Sequence, residues 1–255
     1  MNQNYAYFLE YVRGLPHARK LKILDYGCGN GALVAALRRE GFDAVGCDVF
    51  YEGGSQHGGK PGAEFETLLA NGHIRAINEV GDLPWAPGSF DVILANQVFE
   101  HVEDFPQTIS RLERVLAADG HAVLHFPSRE VWREGHIGIP LAHRLSRYPR
   151  FRLLYTRTLR RLGFGYHGEG LSADQWARRQ LDWIDRYCFY RPYSDIKNML
   201  EPAWSIQHNE WQYVRFRART KNFLLRWLVN NAALRAISER LFRRLGFMSL
   251  ILRKR

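Results

Sequence analysis

Lys22-Ile23-Leu24-Asp25-Tyr26-Gly27-Cys28-Gly29-Asn30-Gly31 is the stretch on which the fold turns. An apolar run enters three glycines at alternate positions, with a carboxylate two places before the first. Ala32-Leu33-Val34-Ala35-Ala36-Leu37 then reads as a helix opening at once. Glycine lacks a Cβ, so the backbone can turn tightly and let a ligand approach its peptide groups. Strand, glycine turn and helix in this order predict a nucleotide-type site. Asp25 adds a fixed carboxylate, which repels a pyrophosphate and attracts an ammonium or a hydroxyl. A dinucleotide fingerprint is satisfied as well. Gly27, Gly29 and Ala32 match G-x-G-x-x-A, and Asp48 follows at about 20 residues, where a ribose carboxylate belongs.

Two segments downstream separate these readings. Asp25-x-Gly27-x-Gly29-x-Gly31 resembles the first motif of the class I S-adenosylmethionine-dependent methyltransferases. Leu83-Pro84-Trp85-Ala86-Pro87-Gly88-Ser89-Phe90-Asp91-Val92-Ile93 is similar to that family's approach to its fourth strand. Asn96-Gln97-Val98-Phe99-Glu100-His101-Val102 resembles its post-strand segment, in the branch that holds quinone and small-molecule methyltransferases. The three lie in order within residues 20–128, and the remainder of the chain matches poorly.

The resemblance implies an α/β fold: a doubly wound, Rossmann-like, mostly parallel sheet with an antiparallel last strand, plus a helical insertion. It also implies S-adenosylmethionine as cofactor. The turn Gly27, Cys28, Gly29 and Gly31 would face its methionine and ribose portions through backbone contacts, and Asp25 would anchor the amino group. Asp48 would accept both ribose hydroxyls, since a carboxylate offers two oxygens to two donors. Glu79, with the Val80 N–H as neighbour, would read adenine, and Asp82 is a rival for that role. Asn96 and Gln97 would border the methionine end. His101 is the candidate general base, its ordinary pKa lying near neutrality. A structural histidine near a helix start is the competing reading of that residue. His125 and Ser128 could also border the acceptor, with His136, His143 and Tyr166 as weaker candidates. No metal is expected. Relatives that bind a divalent cation carry Glu-x-x-Glu-His, whereas Gln97 here replaces a charged oxygen ligand and leaves Glu100 and His101 as a weak remnant.

Charge divides the chain. Residues 1–128 hold 10 Lys and Arg against 16 Asp and Glu, whereas residues 129–255 hold 26 against 10, so the halves carry −6 and +16. Three cysteines without C-x-x-C spacing argue against a disulfide framework or a zinc site and favour a reducing cytoplasm. No apolar run approaches membrane-spanning length, and no signal-peptide pattern opens the chain.

The pattern predicts three parts. Residues 1–128 form the cofactor-binding part, 129–190 a basic helical insertion for substrate recognition, and 191–255 the completion of the sheet with a basic amphipathic helix. A lead-in helix is expected over 5–20, then strands at about 22–27, 44–48, 74–78, 90–96 and 121–127. Helices separate them at about 31–40, 63–71 and 105–117. The glycine-rich loop over 53–62 follows the second strand. Trp204–Gln207 and Gln212–Phe216 read as a sixth strand, and Gly246–Leu252 as a last antiparallel one. A helix at about 222–244 places Phe223, Trp227, Leu234, Ile237, Leu241 and Leu245 on one face. That face could pack on the domain or touch an anionic membrane surface.

Together these features predict methyl transfer to a small-molecule or glycan-type acceptor, at oxygen and with a phosphate-bearing acceptor as one form. The expected location is cytoplasmic, with a peripheral position at the inner membrane surface if the basic helix makes contact. Two alternatives stand beside this: a nucleic-acid methyltransferase, since arginines among aromatics grip phosphates and stack bases, or a non-catalytic methyltransferase-fold module that binds an anionic partner or membrane surface.

Overall fold

The computed structural model describes residues 2–50, 63–78, 81–166, 168, 170–219, 221, 227 and 229–255. Its centre is a seven-stranded sheet of β1 (Lys22–Tyr26), β2 (Asp43–Asp48), β3 (Ile74–Ala76), β4 (Phe90–Asn96), β5 (Leu116–Phe126), β6 (Trp204–His208) and β7 (Met248–Lys254). The spatial order is β3-β2-β1-β4-β5-β7-β6. Strands β1 to β5 pair in parallel, and β7 runs antiparallel between β5 and β6. The expected fold class is therefore borne out, including the antiparallel last strand. The order reverses between β1 and β4, and in such sheets the crevice beyond the carboxyl ends at that point takes the ligand.

Helices cover both faces. They are α1 (Gln3–Arg13), α2 (Ala32–Arg39), α3 (Ala63–Ala70), α4 (Phe105–Val115), α5 (Pro149–Arg161), α6 (Ala173–Tyr187), α7 (Tyr193–Leu200), α8 (Glu210–Ala218) and α9 (Arg235–Leu245). Helix α4 shows why they form where they do. Asp104 accepts the Gln107 N–H at 2.9 Å as N-cap, Pro106 sits in the first turn, and Phe105, Ile109, Leu112 and Val115 bury one face. Such a cap is worth about 1 kcal/mol. One core joins these residues to Leu24, Ile93, Leu124 and Leu250, and α1 and α2 close a second core against Ile23, Val92 and Val123.

Four boundaries differ from expectation. The lead-in helix ends at Arg13, because the Gly14 N–H closes it on Glu10 and Tyr11 and Pro16 excludes helical backbone at Leu15. Strand β5 begins at Leu116 instead of 121, with a register irregularity that sets Phe90 opposite Leu116 and Val92 opposite His121. Residues 212–216 alternate like a strand but lie inside α8, where Tyr213 packs edge-on against Tyr7 at 5.1 Å. Between α8 and α9, residues 222–226 and 228 lie outside the described residues. The described part contradicts one continuous helix over 222–244: Asn231 is extended, its side chain capping the Ala233 N–H at 3.0 Å. The loop over 53–62 also lies outside the described residues.

Residues 129–190 build a core of their own from Ile137, Ile139, Ala142, Trp176, Leu181, Trp183 and Ile184. Ser172 and Gln175 form a capping box that starts α6. Many arginines of this region tie down backbone carbonyls: Arg144 bonds those of Arg129 and Glu130, Arg152 that of Ala142, and Arg160 those of Phe164 and Gly165.

Candidate cofactor and acceptor site

The glycine turn leaves β1 with Gly27, Gly29 and Gly31 at φ of 74°, 51° and 72°, values that L side chains resist. Packing fixes two of them. A Cβ on Gly27 would lie 2.3 Å from Val98 Cγ2, and one on Gly31 would lie 2.4 Å from Ile74 Cδ1. A Cβ on Gly29 would meet nothing within 4 Å, so Gly29 stands on the open side of the turn. The Cys28 side chain points into the core beside Val34, and that residue offers the cleft only its backbone.

The donors of the turn are already committed. The N–H groups of Gly27 and Cys28 both bond the Cys47 carbonyl, and that of Gly31 bonds the Cys28 carbonyl. Gly29 donates to Asp48 Oδ2 at 2.8 Å, while Phe50 donates to Asp48 Oδ1 at 3.0 Å. Asp48 is thereby fixed at the end of β2 with lone pairs to spare. Asp25 is fully enclosed beside it. Burial, and then the Asp48 charge, pushes the Asp25 carboxyl up to about 8. The turn therefore presents two adjacent carboxyl groups and no free N–H at these four positions.

Helix α1 crosses this edge. Asn4 Nδ2 donates to Asn96 Oδ1 at 2.8 Å, and Asn4 Oδ1 accepts the Tyr213 hydroxyl at 2.5 Å. Burial and then the charges of Asp25, Cys28 and Asp48 hold the Tyr5 hydroxyl well above its ordinary range, so Tyr5 lies within electrostatic reach of both carboxyl groups. Phe50 is 41% exposed, a flat apolar face two positions beyond Asp48. Asn4, Tyr5 and Phe50 were not singled out from the sequence as site residues. The only signal was that Tyr5 lies on the apolar face of the first helix. Gln97 holds a left-handed φ of 56°, of the kind that costs roughly 1–3 kcal/mol and gathers at functional sites. Its N–H donates to the His125 carbonyl at 2.7 Å. Glu79 and Val80 lie outside the described residues; Asp82 is exposed and 3.8 Å from Arg111.

At the far end of the crevice, the short turn Phe99–His101 brings the post-strand segment against the insertion. His101 Nδ1 meets the Tyr187 carbonyl at 2.7 Å, and His101 Nε2 meets His136 Nε2 at 3.1 Å. His136 Nδ1 bonds Glu134 Oε1 at 2.8 Å. Glu134 also accepts the Tyr190 hydroxyl at 2.5 Å and the Ile137 N–H at 2.7 Å. Burial pushes the Glu134 carboxyl up, but the bond and charge of His136, with the other donors, outweigh it and hold it at about 2. His136 is opposed by its own burial yet raised overall by Glu134. Glu100 is fully buried, and burial raises it to about 7 against a weaker opposing effect of His136. Glu134, Cys188 and Tyr190 were missed in the sequence because they lie 33 to 89 positions from His101.

The other candidates fall elsewhere. His125 is wholly buried, stacked on Phe8 at 4.4 Å, and burial drives its pKa down to about 3. It is a neutral core residue and does not line the acceptor side. Ser128 is also buried, its Oγ accepting the Glu130 N–H at 3.4 Å. His143 is buried against the Arg129 carbonyl, and Tyr166 lies under the Arg133 guanidinium.

This fold, with its carboxylate-lined glycine turn at the β1/β4 reversal, defines the class I S-adenosylmethionine-dependent methyltransferase type. The profile of the methyltransferase-domain family matches residues 2–203, and the chain belongs to that family. It is 29% identical over 124 residues to a ubiquinone biosynthesis O-methyltransferase of Pectobacterium carotovorum subsp. carotovorum (strain PC1), covering 46% of this chain and 48% of that one. It is 35% identical over 190 residues to an uncharacterized methyltransferase of Mycobacterium sp. (strain KMS), covering 74% of this chain and 59% of that one. The chain thus spans about half the length of the first curated relatives it matches. Its structure superimposes on that of an S-adenosylmethionine-dependent methyltransferase from Mesorhizobium loti with a TM-score of 0.52 at 15% identity, covering 98% and 96% of the two chains. That likeness is one of fold.

Proposed function

We propose that this chain transfers the methyl group of S-adenosylmethionine to an oxygen of a small-molecule or glycan-type acceptor that carries negative charge. The observation that carries the reading is the pairing of Asp25 with Asp48 at a turn whose donors are committed inside the protein. A dinucleotide pyrophosphate would meet the Asp48 carboxylate there without the N–H cradle it needs. The ammonium of S-adenosylmethionine instead supplies the positive charge that Asp25 lacks, and its ribose hydroxyls match Asp48. In this reading Glu79 and Val80 hold adenine, Asn96 and Gln97 border the methionine, and His101 marks the acceptor end. The sulfonium is already activated, so the protein's main task is to align the acceptor oxygen with the methyl group. The relatives named as O-methyltransferases support oxygen as the acceptor atom. Calorimetric titration with S-adenosylhomocysteine, with NAD as control, tests the reading. Saturable binding of the first alone supports it, and binding of NAD alone overturns it.

A surface feature favours presentation of the acceptor at an anionic membrane. Ile237, Leu241 and Leu245 share one face of α9 and are 64%, 54% and 56% exposed, with Arg240 and Arg244 exposed beside them. Trp132, also exposed, donates its N–H to the Arg244 carbonyl and extends the patch. Apolar side chains flanked by arginines suit an interfacial helix. No described helix is long and apolar enough to cross a membrane. Sedimentation with anionic against zwitterionic phospholipid vesicles tests this, and equal recovery in both pellets would remove the membrane from the proposal. The nucleic-acid alternative is weakened, because arginines of the insertion are engaged with backbone carbonyls.

A further inference from the structure

The contact between His101 and His136 poses a problem of proton placement. His101 Nδ1 faces the Tyr187 carbonyl at 2.7 Å, an acceptor, so that nitrogen carries the hydrogen. His136 Nδ1 faces the Glu134 carboxylate at 2.8 Å, so it carries its hydrogen too. In two neutral imidazoles so fixed, both Nε2 atoms hold lone pairs, and these converge at 3.1 Å. Two lone pairs at that distance repel unless a cation lies between them. Either a proton or a metal ion can fill that role.

Four observations favour a metal. Two imidazoles on a tetrahedral zinc have nitrogens about 3.3 Å apart at Zn–N of about 2.0–2.1 Å, close to the spacing here. A thiol lies beside both rings: Cys188 Sγ is 3.9 Å from the Nδ1 edge of each, and one candidate ligand atom from each of His101, His136 and Cys188 lies within 4.8 Å of the others. The carboxylate behind His136 and the carbonyl behind His101 are the outer partners that orient metal-bound histidines. Finally, both oxygens of Glu100, the residue before His101, are buried without a hydrogen-bond partner among the described residues.

We propose that His101 Nε2, His136 Nε2 and Cys188 Sγ bind one divalent ion of the zinc class. Nitrogen and sulfur donors select a borderline-soft cation over magnesium or calcium. This is not the oxygen-ligand set of Glu-x-x-Glu-His. Gln97 turns its side-chain amide toward the His125 carbonyl, and two of the three ligands come from the insertion. Bringing the thiol from the Nδ1 edges onto the metal requires the Cys188 side chain to turn toward the Nε2 pair, to a Zn–S distance of about 2.3 Å. Three protein ligands leave a fourth tetrahedral position for water or an acceptor oxygen. The ion would join the insertion to the cofactor half at the acceptor end, and His101 would serve there as a ligand instead of a free base.

The test uses the untagged full chain, stripped with chelator and titrated with cobalt(II) at pH 7.5, then with zinc(II). The expected result is 1:1 uptake, a tetrahedral visible spectrum, a thiolate-to-cobalt band in the near ultraviolet, and displacement of cobalt by zinc. His136→Asn should weaken uptake by more than about 100-fold, since loss of an outer-shell partner alone costs roughly 10–100-fold. Cys188→Ser should bind more weakly and lose the ultraviolet band. Far-ultraviolet circular dichroism and S-adenosylhomocysteine titration confirm that each variant is folded. They also separate failure of this site from failure of the methyltransferase reading. No saturable uptake by the wild-type chain, or unchanged uptake by His136→Asn, would overturn the site and leave a shared proton between the rings. A band that persists in Cys188→Ser would overturn the three-ligand set.

Discussion

The two halves of the molecule treat buried carboxylates in opposite ways. In residues 1–128, Asp25 is enclosed beside a second carboxylate, Asp48, and is driven up to about 8. In the insertion, Glu134 is enclosed among His136, Tyr190 and the Ile137 N–H, and is held at about 2. Burial costs an ionised carboxyl several kcal/mol unless partners replace the lost water. The insertion provides those partners from its own chain and gains a fixed scaffold. The cofactor half leaves Asp25 beside a like charge, so its carboxyl holds a proton that, in the proposed function, a ligand ammonium displaces. A binding site and a structural joint can thus be told apart by whether the fold itself completes the electrostatics.

The sharpest challenge to that contrast is Glu134→Ala, which strands His136, Tyr190 and the Ile137 N–H. Removing one partner of a buried ionic cluster costs about 3–5 kcal/mol, and urea denaturation should show a loss of that order. The pH course follows from the sign of the shift. A carboxyl depressed in the fold stabilises fully above its unfolded pKa, near 4.5, and loses that contribution as pH falls toward about 2. Wild-type and variant stabilities should therefore converge in acid. A constant gap from pH 7 to pH 3 would show that Glu134 acts through packing alone.

Asp48→Ala addresses the other half. Two charge-assisted bonds to ribose hydroxyls are worth about 1.5–3 kcal/mol each, so S-adenosylhomocysteine affinity should fall by on the order of 100-fold or more. The fold should remain, since Asp48 is a partly exposed strand-end residue. Calorimetry on a folded variant with unchanged affinity would move the ribose elsewhere. A smaller and more diagnostic effect belongs to Asp25→Asn. Asp25 is raised in the fold, so the ligand-free chain binds this proton more tightly than the unfolded chain. Its contribution is largest below the unfolded pKa, near 3.8, and falls as pH rises toward about 8. The wild-type chain should therefore lose stability relative to Asp25→Asn across that window. Near neutral pH a ligand ammonium lowers the Asp25 pKa, so cofactor binding should release a proton, and the variant should not. Titrations in buffers of different ionisation enthalpy read that proton directly.

The cofactor half was legible because its information is local. Asp25, the glycine turn and α2 lie within one 20-residue stretch, and Asp48 and Asn96 end strands recognisable from apolar runs. The Glu134–His136–His101 cluster with Cys188 was not legible. Each member sits in a segment without periodic signature, and the cluster exists only because the Phe189 N–H bonds the Glu100 carbonyl and the Arg129 N–H bonds that of Arg191. Pairings between segments far apart in sequence leave no trace in any short window. The same limit explains 212–216. Alternating polarity there predicted a strand, but the segment lies in α8, where it buries Trp211 and Tyr213.

Helix α9 supplies the gentlest perturbation, because it carries apolar periodicity without the burial that normally accompanies it. None of its residues is buried, whereas α4, of the same length, buries five. Periodicity alone cannot say what an apolar face meets; on α4 it meets the sheet, and on α9 it meets solvent. Ile237→Ser with Leu241→Ser should therefore change folding stability by no more than about 0.5 kcal/mol, as surface substitutions do. Truncating the buried Ile109 of α4 to alanine should cost about 2–5 kcal/mol. If the α9 face serves an anionic membrane, the same double variant should abolish recovery with anionic vesicles while leaving S-adenosylhomocysteine affinity intact. A stability loss of several kcal/mol in place of that phenotype would show that α9 packs against the protein in solution, and the charge asymmetry of the chain would then lose its link to a membrane.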